Sequence, residues 1–174
     1  MAKTTVEIKL PSKYDSEDAE IIAEEILNFI VERTKKGFGS DGKKFPGYSS
    51  EYVNSFDFKA AGKSKGKVDL TLSGEMLDSI EIIEAKKGKI VYGYSSDNEM
   101  QGRAEGNLLG TYGRDTPNPS KARNFLALSG KELSLILSEV DLLPSDIQKE
   151  ISKAAKDGAI RILDNVSMEL DEAE

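Results

Sequence analysis

The chain has 174 residues, with 24 Lys and Arg against 31 Asp and Glu, which gives a net charge of −7. It contains no Cys and no His, which excludes a disulfide framework, thiolate and imidazole metal ligands and every Ser-His-Asp arrangement. The apolar runs fall short of the roughly 18 residues that a membrane span requires. The composition therefore predicts a soluble, one-domain protein that is not an enzyme and holds no metal or cofactor.

The N-terminal segment predicts a strand followed by a long helix. Apolar and polar residues alternate over residues 5–10, the pattern of a half-buried strand, and Pro11 ends it. A helix with a wide apolar stripe follows, from a cap at Asp15 or Ser16 to Gly37 at its C-terminal end. The opening residues lack the hydrophobic core of a secretion signal, so we expect a cytoplasmic location.

The middle of the chain combines loops with short β elements. Glycines and prolines punctuate residues 37–50, which predicts a loop, and four lysines between 59 and 67 predict a mobile, solvated basic tip. The remaining predicted elements are a strand at 68–72, a short helical turn at 74–79 and a β-hairpin with strands at 80–84 and 90–94.

The C-terminal part predicts helices. Residues 96–113 fit a helix or a loop, because three glycines each weaken a helix by roughly 1 kcal/mol. Ser129 with Glu132 forms a capping box for a helix through about Val140, and Ser145 with Gln148 forms another for a helix over 145–167. We expect the acidic tail, 168–174, to fray. The pattern predicts an α+β fold, in one domain over 1–174 with a core at about 1–140, in which an antiparallel sheet with a hairpin packs against N-terminal and C-terminal helices.

One segment approaches a phosphate-binding motif. Residues 37–44 match the frame G-x-x-x-x-G-K, but they follow a helix instead of a strand, and Lys44 stands where a hydroxyl should hold magnesium. Asp41 would also place a negative charge among the phosphates. We interpret the segment as a flexible glycine loop.

Other charged and aromatic groups leave alternatives open. Paired carboxylates would permit a hydrolase without His, yet the acidic residues lie on predicted exposed faces. The lysine clusters at 59–67 and 86–89 lack interleaved aromatic residues, which favours solvated tips over nucleic-acid binding. The loop aromatics either cover the core or form a subunit interface; they are Phe38, Phe45, Tyr48 and Tyr112.

Several short motifs occur in a recognisable order. Residues 40–52 read SDGKKFPGYSSEY, residues 70–80 read LTLSGEMLDSI, and the hairpin ends at Val91-Tyr-Gly-Tyr94. A Tyr112-Gly113 element and the segment Ala122-Arg-Asn-Phe-Leu-Ala-Leu-Ser129 follow. Over residues 15–140 this order resembles the tailed-phage virion morphogenesis family, the small tail-completion and head–tail joining proteins. Phe45 stands where that family often has Trp, and residues 103–111 replace a stretch that often carries a His.

The resemblance implies a structural virion protein of the phage neck, assembled in the host cytoplasm as a homo-oligomeric ring between the head connector and the tail proteins. DNA would pass through such a ring without specific binding, since carboxylates repel phosphates. The candidate interface residues are Phe38, Phe45, Tyr48, Tyr112, Arg123 and Phe125. Arg123 is placed to make a forked salt bridge to an acidic partner. The alternative function is a cytoplasmic protein-interaction or scaffolding module without a virion role.

Overall fold

The computed structural model describes residues 4–71, 74–95, 99–111, 116–144, 146–147, 149–150 and 153. The elements in chain order are β1 (Thr5–Lys9), α1 (Ser16–Lys35), α2 (Ser50–Asn54), α3 (Phe56–Ala60), α4 (Glu75–Asp78), β2 (Glu81–Lys86), β3 (Lys89–Gly93), α5 (Glu99–Leu109) and α6 (Gly130–Leu142).

The three strands form one antiparallel sheet in the order β1-β3-β2. β2 and β3 are the two arms of the predicted hairpin, and β1 pairs with the other side of β3. The central strand is the most buried, with Ile90 and Tyr92 inaccessible to solvent. These observations confirm the predicted α+β fold, the N-terminal strand and the hairpin.

The chain divides into two compact units by its internal contacts. The first unit comprises Met1–Val6, Ile30–Glu81 and Gly93–Ala127, and the second comprises Glu7–Phe29, Ile82–Tyr92 and Leu128–Glu174. The single domain over 1–174 stays a prediction.

The second unit contains the hairpin together with the first part of α1 and with α6. Ile22, Ile26 and Ile136 are completely buried there, so the apolar stripe of α1 supplies much of the core. The Tyr14 hydroxyl donates to Asp141 at 3.1 Å. Ser129 caps α6, where both hydrogen bonds of the capping box form, and this confirms the predicted start of that helix.

The first unit corrects several predictions. Residues 68–71 form no strand, and Leu70 has a φ of 55°, which a continuous β ladder does not accept. For residues 96–113 the sequence left a helix and a loop open, and within them residues 99–109 form a helix despite two internal glycines; it ends at Gly110, whose φ of 70° reverses the chain. Residues 50–60, for which no helix was predicted, form α2 and α3.

Some predictions fall on residues that the structure does not describe. They are Tyr112, the Ser145–Gln148 capping box, most of the helix over 145–167 and the acidic tail. Residues 146–147, 149–150 and 153 are described and have helical backbone.

Candidate functional site

The glycine loop contacts a segment more than eighty residues away in sequence, within the first unit. Phe38 and Lys44 form an isolated antiparallel bridge, so the loop closes on itself directly after α1. The Ser40 amide then donates to the Asn124 carbonyl at 3.1 Å. The motif at 40–52 and the motif at 122–129 are therefore joined in space.

Arg123 makes the most extensive of these connections. Its side chain is buried, 3% exposed, and its Nε and Nη2 atoms each donate to the Pro46 carbonyl at 3.2 Å. Nη2 also donates to the Gly47 carbonyl at 3.3 Å, and Nη1 donates to Asn107 Oδ1 at 2.9 Å. The guanidinium lies 5.0 Å from the centroid of the Tyr48 ring. One side chain thus fixes the loop at 46–48 to α5 by hydrogen bonds and by a cation–π contact.

A second buried arginine holds the other side of the same segment. Arg33, on the last turns of α1, donates through Nη2 to the carbonyls of Phe125 and Ala127. It is 8% exposed. Because Phe125 itself is completely buried, residues 125–127 are anchored by the Phe125 side chain and by the carbonyls of Phe125 and Ala127. Two arginines therefore tie residues 123–127 to α1 and to the glycine loop.

Three aromatic rings form a cluster beside Arg123. The centroids of Tyr48 and Tyr52 lie 5.1 Å apart, and Phe58 meets both rings edge-on at 5.6 and 5.2 Å. Such geometry contributes about 0.5–1.5 kcal/mol per pair beyond the area buried. Burial raises the pKa of Tyr48 and of Tyr52, so both phenols stay neutral at ordinary pH.

The segment at 68–71 joins this cluster through polar contacts instead of a ladder. The Leu70 amide donates to the Tyr48 hydroxyl at 3.3 Å. Lys63 forms an ion pair with Asp69, and their side chains are 8% and 17% exposed. Burial alone raises the pKa of the Asp69 carboxyl, but hydrogen bonds from Lys63 and Thr71 outweigh it and hold the pKa below its ordinary value. The prediction that the basic tip is solvated is therefore wrong for Lys63.

The backbone amides of the glycine loop already donate to acceptors within the protein, so the loop is poorly suited to bind a phosphate. The amides of Gly37, Phe38 and Gly39 donate to the carbonyls of Thr34, Arg33 and Lys43. The Gly42 amide donates to Gly39, and the Lys43 amide donates to Asp41 Oδ1 at 3.0 Å. A phosphate cradle needs convergent free amides. Within the described residues, no group of three or more acidic side chains is placed to hold a metal ion.

The structure places five of the six candidate interface residues. Arg123, Phe125 and Phe45 are buried inside the first unit, whereas Phe38 and Tyr48 are partly exposed. Tyr112 lies outside the described residues. Arg123 donates hydrogen bonds to internal carbonyls and to Asn107. These contacts differ from the expected salt bridge to an acidic partner. The role of the candidate residues between subunits stays a prediction.

The sequence patterns do not predict two features of this unit. Arg33 lies in the last turns of α1, and nothing in its local pattern indicates a distant partner. Phe56 is 83% exposed, at the start of α3. A signal for α3 existed, since Ser55 precedes it and accepts a hydrogen bond from the Phe58 amide, as an N-cap does.

The fold and site define an α+β protein whose distant loop motifs are bound into one framework by buried arginines. Among the described residues, no helix has both the length and the apolar character needed to cross a membrane. Comparison with protein-family profiles, with curated proteins and with solved structures gave no match.

Proposed function

We propose that this chain is a structural protein of a tailed-phage virion, a tail-completion or neck component that forms a homo-oligomeric ring between the head connector and the tail. The main support is the connection made by Arg123, which binds the 40–52 motif to the 122–129 motif. These are two of the motifs whose order resembles the family. The 70–80 motif joins them through the hydrogen bond between Leu70 and Tyr48.

The internal polar groups are used for structure. Arg123, Arg33 and the Lys63–Asp69 pair each stabilise a loop that has little regular structure of its own. Rigid, exposed loops on a compact scaffold suit repeated contacts with neighbouring subunits. The net charge of −7 suits a conduit for DNA, because a lining of carboxylates keeps phosphates from adhering.

The proposal is tested by imaging the purified full chain, alone and mixed with the connector and tail-end proteins of its phage. We expect closed rings with a central opening and incorporation of the chain at the joint between head and tail. A chain that forms no ring and binds neither neighbour would contradict the proposal. It would favour the alternative, a monomeric or dimeric interaction module.

A further inference from the structure

Helix α6 has a second apolar side in addition to the one that the core covers. Ile136 and Val140 are buried in the second unit. Leu135 and Leu142 are 51% and 74% exposed, and their spacing of seven residues places them together on another side of the helix. We call Leu135 and Leu142 the α6 stripe. The described part of the chain leaves this stripe uncovered, although a helix with two apolar sides needs a covering element on each.

The chain turns directly after α6 and becomes helical again. α6 ends at Leu142, the Leu143 amide donates to the Val140 carbonyl at 3.1 Å, and the backbone is helical at 146–147. Two helices joined by a connection of roughly 2–5 residues form an αα-hairpin, in which they lie antiparallel and side by side. The short connection therefore brings the segment after 146 to a flank of α6.

The segment after 146 carries an apolar stripe of its own. By sequence, apolar or small residues recur there at intervals of three or four, which is the spacing of one helix face; they are Ile147, Ile151, Ala154, Gly158 and Ile162. Ile147 is half-buried, whereas the polar residues at 146, 149, 150 and 153 are exposed. Where the structure describes this segment, its polar side therefore faces solvent.

We infer that residues 146–162 fold back along α6 of the same copy and cover the α6 stripe. In an antiparallel hairpin, residues equally far from the turn meet, which pairs Leu142 with Ile147 and Leu135 with Ala154. The segment of the same chain is the occupant because the short connection holds it beside α6 at a high effective concentration, which a separate copy in solution does not reach.

This contact is independent of the proposed ring. It assigns a task to the C-terminal segment, which is to shield an apolar face of α6 from other proteins. The small side chain at Ala154 suits this task, because it lets the two helices approach closely beside Leu135.

Cysteine cross-linking tests the pairing, and the absence of natural cysteines makes it specific. The full chain with both Leu135→Cys and Ala154→Cys is oxidised at low concentration. We expect a disulfide within one chain, since the pairing brings the two Cα atoms within the roughly 7 Å that a disulfide requires. Leu135→Cys combined with Lys156→Cys is the matched control. Position 156 is two residues from Ala154, on the other side of a helix, and should stay unlinked.

Thiol reactivity supplies the second measurement. In the full chain, Leu135→Cys should react with a maleimide roughly tenfold more slowly than Ser134→Cys, an exposed position on the same helix. Adding Ile151→Asp should remove this protection, because a carboxylate packs poorly against apolar side chains. Lys153→Asp introduces the same charge at an exposed position and should leave the protection intact.

The other occupants of the α6 stripe give different results. A disulfide between separate Leu135→Cys and Ala154→Cys chains, in place of the internal one, would assign the stripe to the segment of a second copy and overturn the inference. Equal reaction rates of Leu135→Cys and Ser134→Cys would show that the stripe is open. Protection that survives Ile151→Asp would show that another surface covers it. Both results would overturn the inference, and the cross-link decides it alone if the Ile151→Asp chain does not fold.

Discussion

The guanidinium of Arg123 lies over the ring of Tyr48, 5.0 Å from its centroid, although the two residues are 75 positions apart in the chain. The same guanidinium donates to the carbonyls of Pro46 and Gly47, the two residues before Tyr48. The loop is therefore held at three successive positions by one buried side chain.

Replacing Arg123 with Lys should destabilise the protein by about 2 kcal/mol, because an ammonium cannot donate to both carbonyls and to Asn107 at once. Denaturant unfolding measures the loss, and amide exchange of residues 46–48 should accelerate. Arg103→Lys is the matched control: Arg103 pairs with Glu99 on an exposed face of α5, so its change should stay within about 0.5 kcal/mol. Equal effects of the two variants would contradict the role of Arg123.

Gly93 should tolerate no side chain. A Cβ at this position would lie 2.2 Å from the Thr4 carbonyl oxygen, and its φ is 142°. We expect Gly93→Ala to cost about 3 kcal/mol or more, from backbone strain and from separation of β1 and β3. Gly88→Ala, with a φ of 81° and no atom within 4 Å of the new Cβ, isolates the strain alone and should cost about 1 kcal/mol. A smaller loss at Gly93 than at Gly88 would refute this reading of the strand pairing.

The Lys63–Asp69 ion pair should stabilise the loop at neutral pH and lose its effect in acid. Asp69→Asn should cost about 1.5–3 kcal/mol at pH 7 because it removes the carboxylate charge that balances the largely buried Lys63 ammonium. The folded-state pKa of Asp69 lies below its ordinary 3.8, so the pair's contribution is complete above that value and is lost as the pH falls through the folded pKa. When the free energy of unfolding is measured from neutral to acidic pH, the value for the wild-type protein should approach the value for the Asp69→Asn variant. A constant gap would exclude ionisation of Asp69 as the cause.

Tyr94 should make the protein sensitive to alkali. Its hydroxyl donates to the Met76 carbonyl at 2.6 Å, and burial raises its pKa well above the ordinary 10.0. The unfolded chain releases the proton first, so stability is complete below the ordinary pKa and falls as the pH rises beyond it. Tyr94→Phe should lower the free energy of unfolding by about 1 kcal/mol at pH 7. Above pH 10 the stability of the variant should fall less steeply than that of the wild-type protein. Parallel pH curves for wild type and variant would contradict a buried, protonated phenol.

Local patterns predicted the elements that are stabilised locally. The alternation over residues 5–10, the capping box at Ser129 and the hairpin turn at 86–89 all gave the observed structure, because a strand face, a helix start and a tight turn depend on residues close in sequence. Residues 68–71 failed as a strand for the opposite reason. Their amide and side-chain partners, Tyr48 and Lys63, come from other segments, and no alternation of apolar residues reveals them.

In the candidate site, too, the sequence predicts features that depend on neighbouring residues and does not predict contacts with distant segments. Arg123 and Phe125 were singled out from their motif, but the sequence could not show that Arg123 donates inward to Pro46 and Gly47. The role of Arg33 could not be predicted because its acceptors are backbone carbonyls about ninety residues away. Every residue has a backbone carbonyl, so no residue type in the sequence indicates such an acceptor. Phe56 was missed because exposure depends on which side of a short helix faces the core.

The proposed ring is tested most directly by the native mass of the full chain, measured over a range of concentrations at neutral pH. We predict one discrete species at a several-fold multiple of 19.0 kDa, persisting on dilution, which is the behaviour of a closed ring. A mass of 19.0 kDa at every concentration, with and without the neighbouring head and tail proteins, would contradict it.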